Sequence, residues 1–132
     1  MKKNCKTCNR TERKKIIKKL DELFSLIIRA RGVCFTCGSR ENLSCGHLIT
    51  RAIYNTRWDF DNAECQCFRC NLLHEYQPEI FTQKYIQTYG IEKYNNLVKK
   101  AHSSKKMTTI DLLQILDNLE MKARQMGVLK CK

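Results

Sequence analysis

Apolar positions along this chain keep two different rhythms, and the change between them marks its organisation. From residue 11 to about 31, Ile16, Leu20, Leu23 or Phe24, and Ile27 fall three and four residues apart, which predicts an amphipathic helix. Thr11 reads as its N-cap and Gly32 as its stop. Residues 33–70 lose that period. Two strand-like pieces, 43–49 and 62–67, flank a loop at 50–61 that holds Arg51, Arg57 and Trp58. A helix is expected over 67–76, closed by Pro78, because proline cannot continue a helix entered from its N-terminal side. Phe81, Tyr85 and Tyr89 then stand one turn apart before Gly90, a spacing that reads as core rather than as a platform for bases. Residues 91–101 form another short helix, 103–106 a polar basic linker, and Thr108 caps a last helix whose apolar face is Leu112, Ile115, Leu116 and Leu119. The fold class expected is α+β, predominantly helical. One domain is expected, with a basic arm and helix (1–32), a central core (33–77) and a helical C-terminal part (78–132).

Charge narrows the partners. The 132 residues carry 25 Lys and Arg against 13 Asp and Glu, a formal net charge of +12. Such a field attracts polyanions, nucleic acid above all. A membrane surface fits less well, since the basic stretch lacks a Trp- or Phe-rich opposite face. Lys14, Lys15 and Lys18 on the first helix are candidates for phosphate contact, against the plainer reading of a solvated helix face. Trp58 can wedge into distorted DNA or pack over the cysteine loop, and packing is the expected fate. The greasiest run, residues 23–28, is interrupted by Ser25 and too short to cross a bilayer. No secretory pattern opens the sequence, so a reducing compartment is expected.

In that compartment, nine cysteines read as metal ligands before disulfides. Cys34-Phe-Thr-Cys37 and Cys67-Phe-Arg-Cys70 are two C-x-x-C pairs, and two intervening residues let one tight turn present two thiolates to a tetrahedral ion. Gly38 supplies the backbone freedom such a turn needs. Four cysteines leave no open position for water, so this zinc is expected to be structural. Cys5 and Cys8 have ligand spacing without a matching pair. With Cys45 and Cys65 they make a candidate second zinc site, Cys131 being another possible ligand; the alternative is that Cys45 and Cys65 are buried small apolar residues.

Between the two pairs stand Gly46-His47 and Asn62, with Asn71 directly after Cys70. A histidine on a first strand, an asparagine opening the second and a polar ligand starting a helix resemble the HNH, or ββα-metal, nuclease motif. The segments CGHLITR, TRWDFDN and QCFRCN, with LFSLIIRARGVCFTCG before them and YGIEKYNNL after, resemble more specifically the NinG (Rap) recombination proteins of lambdoid phages, over roughly residues 20–120. Phage endonuclease VII, a junction resolvase, has a similar zinc-plus-hairpin arrangement.

The resemblance implies a magnesium- or manganese-dependent endonuclease acting on branched DNA such as Holliday junctions, in the cytoplasm of an infected or lysogenic bacterial host. It implies His47 as general base, and Asn71 and His47 as ligands of the catalytic ion. Asn62 would pin the loop so that His47 points correctly. Arg51 and Arg57 are candidates for gripping phosphate. Many HNH nucleases carry an acid just before the base, and Gly46 stands there instead, as in the NinG proteins. His74 and Glu75 lie one helical turn beyond Asn71 and are candidates for the missing ligand, with Asp59 and Asp61 as further options. A resolvase cuts two strands related by a two-fold axis, so a homodimer is expected. The rival expectations are a less selective HNH nicking or restriction-type enzyme and a zinc-dependent DNA-binding module without catalysis.

Overall fold

The computed structural model describes residues 6–129, with side chains from Arg10 onward. Helix α1 (Lys6–Arg29) leads into an irregular stretch and then strand β1 (Leu43–His47). A short helix α2 (Tyr54–Arg57) and a 3-10 turn (Phe60–Asn62) precede strand β2 (Ala63–Cys67). Helices α3 (Phe68–Tyr76), α4 (Pro78–Tyr89), α5 (Ile91–Ala101) and α6 (Thr109–Gln125) complete a mostly helical α+β fold. The strands pair antiparallel, with Leu43 opposite Cys67, Cys45 opposite Cys65 and His47 opposite Ala63. Among the described residues, no helix is long and apolar enough to cross a membrane.

The periodic stripe of α1 buries as its spacing predicts. Leu20, Leu23, Phe24, Ile27 and Ile28 pack with Leu112, Leu116, Leu119 and Ala123 of α6, and Trp58, Ala63 and Cys65 close the same core. Thr108 caps α6 as expected: its hydroxyl accepts from the Asp111 N–H at 3.2 Å, while the Asp111 carboxylate accepts from the Thr108 N–H at 3.0 Å. Each orphan amide so satisfied stabilises the helix start by roughly 1 kcal/mol. Leu48, Phe81, Tyr85 and Leu97 form a second cluster. Phe81 and Tyr85 are thus core, whereas Tyr89 stays partly exposed, stacked on Phe35 and donating its hydroxyl to Glu64.

Strand β2 is buried along its whole length, so its polar side chains need partners. Glu64 pairs with Arg31 at 2.7 Å, and the Gln66 amide donates to the Thr36 hydroxyl at 2.8 Å.

Several expectations change. Thr11 is not an N-cap, because α1 is already helical at Lys6; Arg13 donates to the Met107 carbonyl and ties this half of the helix to the start of α6. Strand β1 ends at His47 rather than at residue 49, since the Leu48 and Ile49 amides turn to the Asn62 carbonyl and side-chain oxygen, both at 2.8 Å. The loop over 50–61 is built rather than irregular. Trp58 packs in the α1–α6 core instead of over the cysteine loop, and its indole N–H donates to Asp21 at 2.9 Å.

Asp21, on the polar flank of α1, is what holds that loop. Its carboxylate accepts from Arg57 Nε at 3.0 Å and from an Arg57 terminal nitrogen at 2.6 Å, and also pairs with Arg51 at 3.3 Å. Burial pushes the carboxyl upward, but the hydrogen bonds from Arg57 and Trp58 and the charges of Arg57 and Arg51 outweigh it and hold it below the usual carboxylate range. A depressed carboxyl contributes stability above its unfolded value, near pH 3.9, and loses it as pH falls through its folded value. Asp21→Asn is therefore expected to cost about 2 kcal/mol at pH 7. The gap between wild type and variant in urea melts should shrink as pH falls below about 3.9 and through the folded value. A gap that stays constant down to pH 2 would mean that the charge of Asp21 contributes nothing.

Candidate functional site

The four predicted ligand cysteines come together. The sulfurs of Cys34, Cys37, Cys67 and Cys70 all lie within 4.8 Å of one another, and Cys37 and Cys67 are 3.7 Å apart. A tetrahedral zinc with bonds of about 2.3 Å holds its sulfurs about 3.8 Å apart, so the cluster can bind a metal such as zinc. Each knuckle folds back on itself: the Cys37 N–H points at Cys34 Sγ (3.5 Å) and the Cys70 N–H at Cys67 Sγ (3.4 Å). Gly38, at φ 79°, makes the turn that a side chain would strain.

Burial raises the Cys34 thiol, but backbone N–H groups of Cys67, Cys37 and Thr36 outweigh it and bring it down to about 6. Burial and three neighbouring sulfurs push Cys70 the other way. The amides can stabilise one thiolate; four need a cation.

A second arrangement forms beside it. His47 at the end of β1 and Asn71 on the first turn of α3 line one open cleft of about 460 Å³, together with Cys45, Thr50, Arg51, His74 and Glu75. His47 Nε2 lies 2.9 Å from the Arg57 carbonyl oxygen. A carbonyl only accepts, so Nε2 carries the proton and Nδ1 keeps the lone pair. Burial lowers the pKa of His47; the Arg57 carbonyl and Asp21 oppose this, while the charges of Arg51 and Arg57 add to it. The ring is therefore neutral near neutral pH, with one nitrogen free to take a proton. One lone pair cannot serve as base and metal ligand together, so the dual role expected for His47 reduces to one of the two.

Asn62 is fully buried and touches the loop on three sides. Its oxygen accepts from the Ile49 N–H at 2.8 Å, and its amide donates to the carbonyls of Ile49 (3.1 Å) and Thr56 (3.0 Å). It ties the segment after His47 to the segment that carries the Arg57 carbonyl. Asp21, which sequence reasoning missed, secures that segment from outside. One of three acids in a basic helix, Asp21 carried no local signal that set it apart from Glu12 or Glu22.

The two arginines part ways. The Arg51 side chain is 62% exposed at the cleft, whereas that of Arg57 is 12% exposed and locked onto Asp21. Arg57 is thus corrected from phosphate contact to structure. Lys14, Lys15 and Lys18 are exposed on α1, and none of them lines the cleft. Asp59 and Asp61 line a different depression beside Lys93 and Lys100 and are not brought to His47.

Both candidates beyond Asn71 line the cleft, and Glu75 is exposed there. His74 Nε2 donates to the Leu48 carbonyl at 3.0 Å, and its Nδ1 is buried, in a ring packed on Phe81. The Nδ1 lone pair has no hydrogen-bond partner, so His74 stays a candidate ligand beside Glu75. Gly46 is explained by space: a Cβ there would lie 2.0 Å from Gln66 Oε1, whose side chain is buried and tied to Thr36. No acid can stand at that place without moving Gln66.

Cys45 and Cys65 face each other in register, Cys65 within the main core and Cys45 at the cleft, its thiol pushed up to about 12 by burial. Cys5, Cys131 and the Cys8 side chain lie outside what is described, so the second zinc site stays an expectation. Cys34, Cys37, Cys67 and Cys70 make the one metal-sized ligand group among the described residues.

Fold and cluster together define a small, strongly basic α+β protein with a four-cysteine group able to hold a metal ion. The chain belongs to the NinG family: the family model described as Bacteriophage Lambda NinG protein matches residues 1–128. No curated protein and no solved structure matches it.

Two outcomes follow from this geometry. Elemental analysis should find one zinc per chain, and Cys70→Ser should lose it together with most of the thermal transition, since structural zinc contributes folding energy outright. Two zincs per chain would revive the second site. Gly46→Ala should destabilise by about 1–3 kcal/mol through overpacking against Gln66, and Gln66→Ala should relieve much of that cost in a double-mutant cycle. Additive costs would show that Gln66 is not what excludes the side chain.

Proposed function

We propose that this protein is a divalent-metal-dependent DNA endonuclease of the HNH kind, selective for branched DNA such as Holliday junctions and serving phage recombination. One observation carries the reading: a tautomer-fixed histidine, an amide, a carboxylate and an exposed arginine converge on a single open cleft. On this reading β1, β2 and α3 are the ββα-metal core, and the four-cysteine cluster with its structural zinc sets their mutual angle.

The chemistry follows from the residues. His47 Nδ1 takes a proton from the attacking water while Nε2 stays on the Arg57 carbonyl, so the growing positive charge on the ring sits against a carbonyl dipole. Asn71 and Glu75 offer oxygen donors suited to magnesium or manganese. That ion, when bound, offsets the charge that develops on the leaving oxygen. Arg51 holds the phosphate with charge-assisted hydrogen bonds at the cleft mouth. A net charge of +12 brings the DNA in. Two incisions across a junction call for two clefts, and a homodimer supplies them.

The space beside Gly46 favours a second reading. With Gln66 filling the place where related nucleases carry an acid, the module could bind DNA without cutting it. One assay separates the readings: four-way junction and linear duplex of matched sequence, wild type and His47→Ala, with and without magnesium. Expected are junction cleavage by wild type only with the ion, and a loss of about 10²–10⁴-fold in His47→Ala with binding retained. Equal cutting of duplex would point to a less selective nuclease. Salt-sensitive binding with no cutting in magnesium or manganese would leave a DNA-binding module. Undiminished cutting by the variant would place the base elsewhere.

A further inference from the structure

Helix α3 carries a feature that neither core nor cleft uses. Its Cys70 faces inward, and its Asn71, His74 and Glu75 line the cleft. Phe68, Leu72 and Tyr76 recur every four residues on the side left over, with 65%, 43% and 76% of their surfaces exposed. A single exposed apolar residue means little, but three at this spacing form one continuous stripe. Leu72 and Tyr76 each follow a cleft residue by one position, about 100° round the helix, so the stripe begins where the cleft ends. Arg69, also exposed, borders it on the far side.

We infer that this stripe is a stacking surface for bases exposed at the branch point of DNA held in the neighbouring cleft. The inference rests on the nuclease-site reading above and adds what that reading lacks, a physical source of branch selectivity. In an intact duplex the faces of the bases are covered by their neighbours, and presenting one requires unstacking. At a branch point stacking is already interrupted, so aromatic rings beside the cleft find a π-face without that cost. Stacking of one base on an aromatic side chain tolerates any sequence, as recognition of shape requires.

Charge and area both favour this occupant. Arg69 and Arg51 flank the stripe and cleft with positive charge in a chain of net +12, which suits a polyanion. The three side chains at these exposures offer roughly 300–400 Å². A stable interface with a second copy needs about 800 Å² on each side.

The test uses the whole protein without added magnesium, so that binding is read apart from cleavage. The probe is a four-way junction with 2-aminopurine at the branch point, beside a linear duplex of equal length in the same salt. The double variant Phe68→Ser, Tyr76→Ser alters two exposed positions; circular dichroism and zinc content confirm that it folds. Wild type should change the branch-point fluorescence and prefer the junction. The double variant should lose that fluorescence change and roughly twenty-fold or more of junction affinity, with duplex affinity unchanged within about two-fold. Phe68→Tyr with Tyr76→Phe should restore the preference. Parallel loss on both DNAs, or no loss on either, would overturn the inference. So would conversion of a wild-type dimer to a monomer by the double variant, which would make the stripe a contact between copies. Junction preference that depends on the stripe in a protein that never cuts would sink the nuclease reading and leave this inference standing.

Discussion

Cys67 occupies a position on which the geometry of the whole centre turns. It ends β2, opposite Leu43 of β1, and its sulfur accepts the Cys70 N–H and so caps α3. It also belongs to the four-cysteine cluster with Cys34 and Cys37. One residue thus sets the angle between the hairpin and the helix and anchors both to the segment that follows α1. Because Asn71 comes directly after Cys70, that angle decides where its amide points. It points into the cleft that His47 reaches from the far end of β1. Were the cluster to open, α3 would keep its intrahelical bonds but lose its bearing on the strand.

A second constraint works from the opposite side. The loop between the strands hydrogen-bonds His47 through the Arg57 carbonyl, and two side chains hold that carbonyl in place. Asn62 ties the loop from within by three hydrogen bonds, and Asp21 ties it from α1 through Arg57 and Trp58. Asp21 and Asn62 lie on different elements and share no hydrogen bond with each other in these interactions, so the loop is held at two independent points. A small domain has little core to spend on ordering a loop, and polar ties at defined points serve instead.

How much of this was legible in the chain depended on the range of the interaction. The helices followed from apolar period, and the α6 cap from Thr108, because both are local. The four cysteines were legible since two-residue spacing is a geometric demand of the ion itself. Arg57 was misjudged because its partner lies 36 positions earlier in the sequence, and no local signal separates an arginine that grips Asp21 from one that grips phosphate. Helical spacing put His74 near Asn71, where it does line the cleft, but the Leu48 carbonyl that fixes its tautomer is a tertiary partner no local pattern announces. Gly46 looked like a missing acid, and only the course of the buried Gln66 side chain shows that the site is filled.

That filled site bears on how the proposed chemistry would be controlled. With Gly46 closed to an acid, the cleft would offer a divalent ion the Asn71 amide and the Glu75 carboxylate, with the unpartnered Nδ1 of His74 beside them. Magnesium dehydrates reluctantly and is commonly held by one or two carboxylates together with substrate phosphates. A donor set this sparse is completed by the phosphodiester itself, so the ion and the DNA would enter as a unit. Binding geometry would then govern the proposed catalysis, and a duplex bound slightly out of register would leave the set incomplete. A strongly basic protein binds DNA almost anywhere. On the proposed function, sparse ligation by Asn71 and Glu75, with Arg51 at the mouth, would therefore be a physical means of keeping promiscuous binding separate from cutting.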